Sequence, residues 1–340
     1  MEPVREMKPV RCAVVGLGMI GQEHAAVLAG SPLADLAACC DVDPGAAARV
    51  PGGAKFTSDL GELLDLPGLE AVFVCTPQET HREVATRALG RGLFVFCEKP
   101  VAHTLEDADA LISMPEAQDG HLVIGHTLRF SPDYVAIHQA VASGATGRIV
   151  SMSARRCVPD FEGRMIAGRT NLAVEVGIHD IDVMRWLAGD IETVYAEATG
   201  MGVTGPGLTD AMVGTFRFAS GAVATIEINW IMSSSSALKT DYRLAVFGTA
   251  GSAFAEFNSP VVRVFGGEAP ATGWRDDIYG SQSGTLVTED EHFLAVVRGV
   301  RTWPITLQDA RAALGVAIAL DESASAGRPV RLAAGQACEA

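Results

Sequence analysis

The chain has 340 residues, enough for two domains of roughly 100–200 residues each. Hydrophobic residues make up 48% and charged residues 20%, so a sizeable core can form and a disordered chain is excluded. The formal net charge is −15, and a surface this acidic repels phosphate backbones and anionic lipid, which argues against nucleic-acid and membrane partners. No apolar run approaches the roughly 18 residues a spanning helix needs, and the N-terminus lacks the apolar stretch of a signal peptide. The seven cysteines show no CxxC spacing. They read as reduced core residues of a cytoplasmic protein rather than a disulfide or zinc framework.

Up to about residue 145, short apolar runs rich in Val, Phe and Cys alternate with stretches of helical spacing. The runs at 10–15, 33–40, 71–75, 93–97 and 121–125 predict strands. The stretches at 20–29, 44–50, 60–64, 80–90, 105–113 and 132–142 predict helices. Strands apolar on both faces, alternating with helices, mean a parallel sheet covered on both sides. Thr104 with Asp107 three residues on resembles a capping box. The turn at Gly144–Gly147 places a domain boundary near residue 147.

Beyond it the texture is β-rich, with predicted strands at 149–157, 193–200, 211–218, 222–231, 242–247, 253–257 and 261–265. Gly-containing turns join several of them, as in antiparallel meanders. Helices are predicted near 172–187, 289–300 and 307–326, the last packing back on the first domain. The pattern predicts the α/β fold class, with a doubly wound parallel sheet over 1–147 followed by a β-rich α+β domain over 148–340.

The first strand runs into Gly16-Leu17-Gly18-Met19-Ile20-Gly21 and then a helix. A second strand ends at Asp41, twenty residues after Gly21. That context is a dinucleotide-binding arrangement. Gly16 makes the turn, Gly18 admits the pyrophosphate, Gly21 lets helix and strand close, and the helix N-terminus faces the phosphates. Asp41 suits the adenine ribose hydroxyls. It would repel a 2′-phosphate, and Val42-Asp43-Pro44 offers no arginine to relieve it, so NAD is expected over NADP.

Four further segments complete a pattern: Thr76-Pro77 with His81, Cys97-Glu98-Lys99-Pro100, Glu175 through Asp182, and Glu322 through Val330. With them the sequence resembles the glucose–fructose oxidoreductase / inositol dehydrogenase (Gfo/Idh/MocA) family from about Val10 to Leu332. The resemblance implies NAD(P)-dependent oxidation or reduction of a sugar, cyclitol or related polyol. It also implies an N-terminal Rossmann domain, a C-terminal α+β domain with a large, mostly antiparallel open sheet, and a homodimer or homotetramer formed through that sheet. It makes Lys99 the active-site lysine and His179 the catalytic histidine. Glu98 lies near the nicotinamide ribose, Thr76 and Pro77 line the cofactor with His81 close by, and Pro100 follows a cis peptide. No metal is implied. Two departures stand out: Glu175 replaces the usual aspartate four residues before the histidine, and His126 is an unexpected polar group after the sixth strand.

The chemistry fits these types. An imidazole titrates near neutral pH, so His179 suits the base that takes a hydroxyl proton as hydride leaves. Lys99 suits the donor that stabilises the alkoxide. Glu175 and His179, four apart, share a helix face with Asp182 and Trp186. Glu175 can orient His179 or bind a second hydroxyl. Arg155, Arg156, Arg164 and Arg169 are candidates for a substrate anion. Competing readings on this fold are an NAD-dependent glycoside hydrolase, a trans-dihydrodiol-type dehydrogenase and a non-enzymatic dinucleotide sensor.

Overall fold

The computed structural model describes residues 8–166, 168–233, 235, 240–256, 274–278 and 281–332. The chain divides into two compact units, one of Met1–Phe130 with Ala271–Arg311, the other of Ser131–Pro270 with Ala312–Ala340.

The first unit opens with β1 (Val10–Val15), α1 (Met19–Gly30), β2 (Ala34–Cys40), β3 (Lys55–Thr57) and α2 (Leu60–Leu64). It continues with β4 (Ala71–Val74), α3 (His81–Leu89), β5 (Phe94–Cys97), α4 (Leu105–Ile112) and β6 (Leu122–Ile124). The six strands pair in parallel in the order β3-β2-β1-β4-β5-β6, the doubly wound arrangement whose order reverses beside β1. Cys12, Val14, Phe73 and Phe96 are fully buried, as strands covered on both faces require.

The strands end level with one another. Val15 pairs with Cys40 and Val74, Val74 with Cys97, and Cys97 with Ile124. The residues just beyond, Asp41, Gly16, Cys75, Glu98 and Gly125, therefore form one row along the C-terminal edge. The predicted helix at 44–50 is a 3-10 turn, Pro44–Arg49, capped by Asp43, whose Oδ1 accepts the Gly45 N–H at 2.9 Å. Thr104 caps α4 by accepting the Asp107 N–H at 3.1 Å. The Asp107 carboxylate pairs with Arg82 at 2.7 Å, so one half of the capping box forms.

The second unit holds α5 (Pro132–Ala142), β7 (Ile149–Pro159), α6 (Asp160–Ile166), a π-helical turn at Ala173–Gly177 and α7 (Ile178–Ala188). Then come β8 (Ile191–Thr199), β9 (Ala211–Phe218), β10 (Val223–Met232), β11 (Asp241–Gly248) and β12 (Ser252–Glu256). The division falls before α5 rather than at the expected turn near residue 147. The reason is local: α5 packs on α7, with the His138 ring stacked on Trp186 at 3.9 Å. The stretch between β7 and the π-helical turn contains α6, whose buried Gly163 lies against Trp230.

Farther on, β13 (Asp276–Ile278), β14 (Ser281–Ser283) and α8 (Thr285–Val297) belong to the first unit. Helix α9 (Leu307–Ala326) counts with the first unit through Arg311 and with the second from Ala312 on. The strand β15 (Val330–Arg331) pairs with β8. It closes a seven-stranded sheet of order β12-β11-β7-β10-β9-β8-β15. Strands β7 and β10 run parallel, and the other neighbours pair antiparallel. One sheet face is buried through Met212, Phe216, Ala224, Ile226 and Leu244, while Val213, Val223, Phe247 and Phe254 on the other are exposed.

The predicted strand at 261–265 and Cys338 lie outside the described residues. The other cysteines are buried free thiols. Burial pushes Cys40 and Cys157 up to about 11, which makes them poor nucleophiles. Among the described residues no helix is long and apolar enough to cross a membrane.

Candidate active site

The glycine loop leaves the row at Gly16, whose φ of +92° and close approach to Cys75 exclude a side chain: a Cβ would lie 2.6 Å from the Cys75 carbonyl oxygen. A Cβ on Gly21 would sit 1.9 Å from the Gly16 oxygen, so only glycine lets α1 start so close to β1. A Cβ on Gly18 would meet nothing within 4 Å and would project into the open space before α1. No side chain caps α1, which leaves its first N–H groups for an anion. Met19 is exposed and Ile20 half-buried at this rim. A dinucleotide pyrophosphate fits this cradle.

Asp41 stands at the adenosine end. Its Oδ2 accepts the Leu17 N–H at 2.7 Å and its Oδ1 the Asp43 N–H at 2.9 Å. Each carboxylate oxygen keeps a second lone pair for a ribose hydroxyl. Val42-Asp43-Pro44 carries no arginine, but one comes from farther along the chain: Arg49 folds back so that Nη1 donates to the Leu17 carbonyl at 2.9 Å and Nη2 to Asp43 at 3.1 Å. Asp43 holds that guanidinium, which leaves the adenosine end dominated by carboxylates.

At the other end, Thr76 follows β4 and its hydroxyl accepts from Thr80 at 2.8 Å. Pro77 is exposed beside it. His81 is buried, with Nδ1 2.8 Å from the Pro100 carbonyl and Nε2 2.8 Å from that of Thr76. Burial pulls its pKa below the ordinary value. The ring ties together the two loops that follow β4 and β5. Glu98 is buried, and its Oε2 accepts the Lys99 N–H at 3.0 Å. Lys99 is half-buried, and the Lys99-Pro100 peptide is cis.

In the second unit, Glu175 lies in the π turn and His179 in α7. Both are half-exposed, while residues 172–174, 176–178 and 180–185 are buried. They share the open face that their spacing predicts. Asp182 is buried instead of joining that face. Beside His179, Asp180 is locked to Arg156 of β7, with Nε to Oδ2 at 2.5 Å and Nη2 to Oδ1 at 3.3 Å. Arg155 pairs with Glu227 at 2.6 Å and Asp241 at 3.2 Å, and Arg164 with Asp160 at 3.0 Å. Three of the four arginine candidates for a substrate anion are thus held by carboxylates. Arg169 is exposed.

A Rossmann unit with a glycine cradle and a terminal acid defines a dinucleotide-binding protein. Residues 10–126 match the oxidoreductase family with NAD-binding Rossmann fold, Gfo/Idh/MocA, and residues 134–254 match that family's C-terminal domain. The NAD(+)-dependent scyllo-inositol 2-dehydrogenase of Bacillus subtilis (strain 168) is 30% identical over 336 residues, 95% of this chain and 96% of its own length. The myo-inositol 2-dehydrogenase of Lactobacillus plantarum superposes with a TM-score of 0.80 at 22% identity, over 96% of this chain and 100% of its own. GenD2 from gentamicin A biosynthesis, solved in complex with NAD, superposes with a TM-score of 0.81 at 25% identity, over 96% and 97%. This chain belongs to the Gfo/Idh/MocA family and is an oxidoreductase with an NAD-binding Rossmann domain.

Proposed function

We propose that the chain is an NAD-dependent dehydrogenase that oxidises a secondary hydroxyl of a cyclic polyol of the inositol type, or reduces the matching ketone. The observation that carries the reading is the level row of loop ends that sets Lys99 beside Glu98 at the end of β5. The full-length similarity to an inositol dehydrogenase supports the substrate class, as does the open Glu175–His179 face.

Gly16 through Gly21 and Asp41 hold the cofactor, with Thr76, Pro77 and Glu98 along its nicotinamide half. Bound NAD supplies the hydride acceptor. His179 takes the hydroxyl proton, Lys99 donates a hydrogen bond to the same oxygen, and Glu175 orients His179 or binds a neighbouring hydroxyl. The test is a screen of inositols and related sugars for NADH formation at 340 nm. One NADH per substrate consumed supports the dehydrogenase. Substrate cleavage without net NADH would replace it with the hydrolase reading.

Cofactor choice is a separate expectation. With Asp41 and Asp43 at the adenosine end, NADH should bind at least about tenfold tighter than NADPH, the cost of roughly one like-charge contact near a protein surface. Fluorescence titration measures both constants, and equal or tighter NADPH binding removes the argument from Asp41.

Assembly follows from the second sheet. Val223 and Phe247 on its open face line a depression of about 890 Å³ with Ser151, Thr215 and Thr225, and Val213 and Phe254 are exposed on the same face. Several exposed apolar side chains on one sheet face favour association. We expect a dimer or tetramer that buries this face, dissociated by Val223→Arg. Sedimentation of the native chain at monomer mass at micromolar concentration would contradict it.

A further inference from the structure

Beneath the row of loop ends the first unit encloses, beside Glu98 after β5, three ionisable side chains that the proposed reaction does not use: His24 of α1, and Glu289 and Asp290 of α8. His24 is fully buried, with the Phe73 and Phe96 rings 5.6 and 5.2 Å from its own. Its Nδ1 lies 2.8 Å from Asp290 Oδ1 and its Nε2 3.0 Å from Glu98 Oε1. At these separations each contact needs a proton between nitrogen and oxygen.

Those two contacts call for two protons. With Asp290 Oδ2, which is buried and meets no partner, left unprotonated, two protons shared by one imidazole and two carboxyls give a net charge of −1 in either arrangement. The ring can be an imidazolium between two carboxylates, or a neutral imidazole with one acid protonated. The two acids hold the ring's pKa well above its usual value against the opposing effect of burial. Glu289 accepts the Thr127 hydroxyl at 2.7 Å through Oε2, while its buried Oε1 meets no partner. Burial first, then the nearby Glu98 carboxylate, pushes Glu289 well above the ordinary carboxylate range, so it stays neutral. Lys99 and the Cys97 thiol act on Glu98, Glu291 and the Cys12 thiol on Asp290, and the Cys75 thiol on both acids; burial keeps the thiols protonated.

A dinucleotide on a doubly wound sheet places its adenosine on one half and its nicotinamide on the other. Asp41 marks the adenosine half here, so the buried chain lies under the nicotinamide half, at the end of β5. The nicotinamide ring is cationic in NAD+ and neutral in NADH. We propose that the Asp290–His24–Glu98 chain is a positioning and electrostatic device of the cofactor site. Its single net negative charge favours the oxidised cofactor over the reduced one, and its hydrogen bonds hold the Glu98-Lys99 peptide in place. The proposal rests on the NAD-binding assignment and is independent of which polyol is the substrate.

Asp290→Asn tests it. The amide can offer its oxygen to an Nδ1–H, which makes the chain neutral, or its NH2 to a bare Nδ1, which leaves the charge on Glu98. In the variant, 15N-histidine NMR tells the two apart, and with a bare Nδ1 the ratio of the NAD+ and NADH constants should not move. With Nδ1 protonated, Kd for NAD+ should rise about tenfold, the effect of one unit charge about 10 Å away at an effective dielectric near 20. Kd for NADH should stay within about twofold. Calorimetry gives the first constant and fluorescence the second, and neither needs a substrate. An unchanged ratio of the two constants with Nδ1 protonated, or a changed ratio with Nδ1 bare, overturns the proposal. So does an equal weakening of both, which would make the chain a scaffold only.

A second measurement uses the native protein. In 15N-histidine NMR the His24 ring should hold its protonation from pH 6 to pH 9, and a ring proton lost within that range would overturn the charge count. If wild type binds neither NAD+ nor NADH, the cofactor assignment falls and the proposal with it. If it binds both but oxidises no cyclitol, only the substrate reading falls, and the ratio still decides this one.

Discussion

Lys99→Ala should fold, bind NADH with near-native affinity and lose about 10²–10⁴-fold in the single-turnover rate of NAD reduction, the usual range for a positioned proton-transfer or charge-stabilising group. The backbone argument for folding is local. Glu98 holds the amide of residue 99, not its side chain, so the 3.0 Å hydrogen bond survives the substitution. His179→Ala should lose a similar factor, with part of the rate restored at high pH, where hydroxide takes the proton. Because both groups are proposed to act on one oxygen in one step, the double variant should be little slower than the slower single variant. Near-native rates in Lys99→Ala would make the lysine structural. Additive losses would place the two residues in different steps.

The parts of this site that were legible in the sequence are those whose partners lie close along the chain or recur with a fixed period. The glycine loop, the strand ends at Val15, Cys40 and Cys97, and the Glu175–His179 spacing are of this kind. They depend on strand length, on glycine where a Cβ would collide, and on helical repeat. Helix α8 was expected at 289–300 but starts at Thr285, after Gly284 with a φ of +119°. Its first turn carries Leu286 and Val287, seven residues before Phe293 and Leu294, so the buried apolar face extends back to that turn.

The strands β3 and β15, with three and two residues, are too short for any run to reveal them. Arg49 escaped notice because it reaches Leu17 across 32 positions, by way of a 3-10 turn rather than a motif. His24 reads as an unremarkable helix residue. Its partners Glu98 and Asp290 lie 74 and 266 positions away, and only the folded chain brings three such groups together. Arg156 was read as a possible substrate ligand for the same reason: nothing near it in sequence announces Asp180.

That buried pair should dominate the stability of the second unit. Arg156 and Asp180 are 5% and 1% exposed, so neither can exchange its partner for water. The guanidinium also lies 4.4 Å from the centre of the Tyr242 ring and 3.4 Å from the Tyr134 hydroxyl. Arg156→Met fills much of the same volume but strands the carboxylate. The expected cost is about 3–5 kcal/mol, the usual price of removing one partner of a buried pair. Removing both charges is a different matter. Arg156→Met with Asp180→Leu should recover most of the loss, because two apolar side chains need no compensation.

The pH dependence has a definite sign. Burial raises Asp180 above the ordinary carboxylate range, and without the guanidinium nothing opposes that. A folded-state value above the unfolded one of about 3.9 penalises folding at neutral pH, and the penalty fades as pH falls to about 4. Urea melts of wild type, the single and the double variant at pH 7 and near pH 4 measure all of this. A single-variant loss under about 1 kcal/mol at pH 7 would mean the pair is solvated in solution. In that event Asp180 would not anchor the start of α7, and the helix would need another explanation for how it holds His179 on its open face.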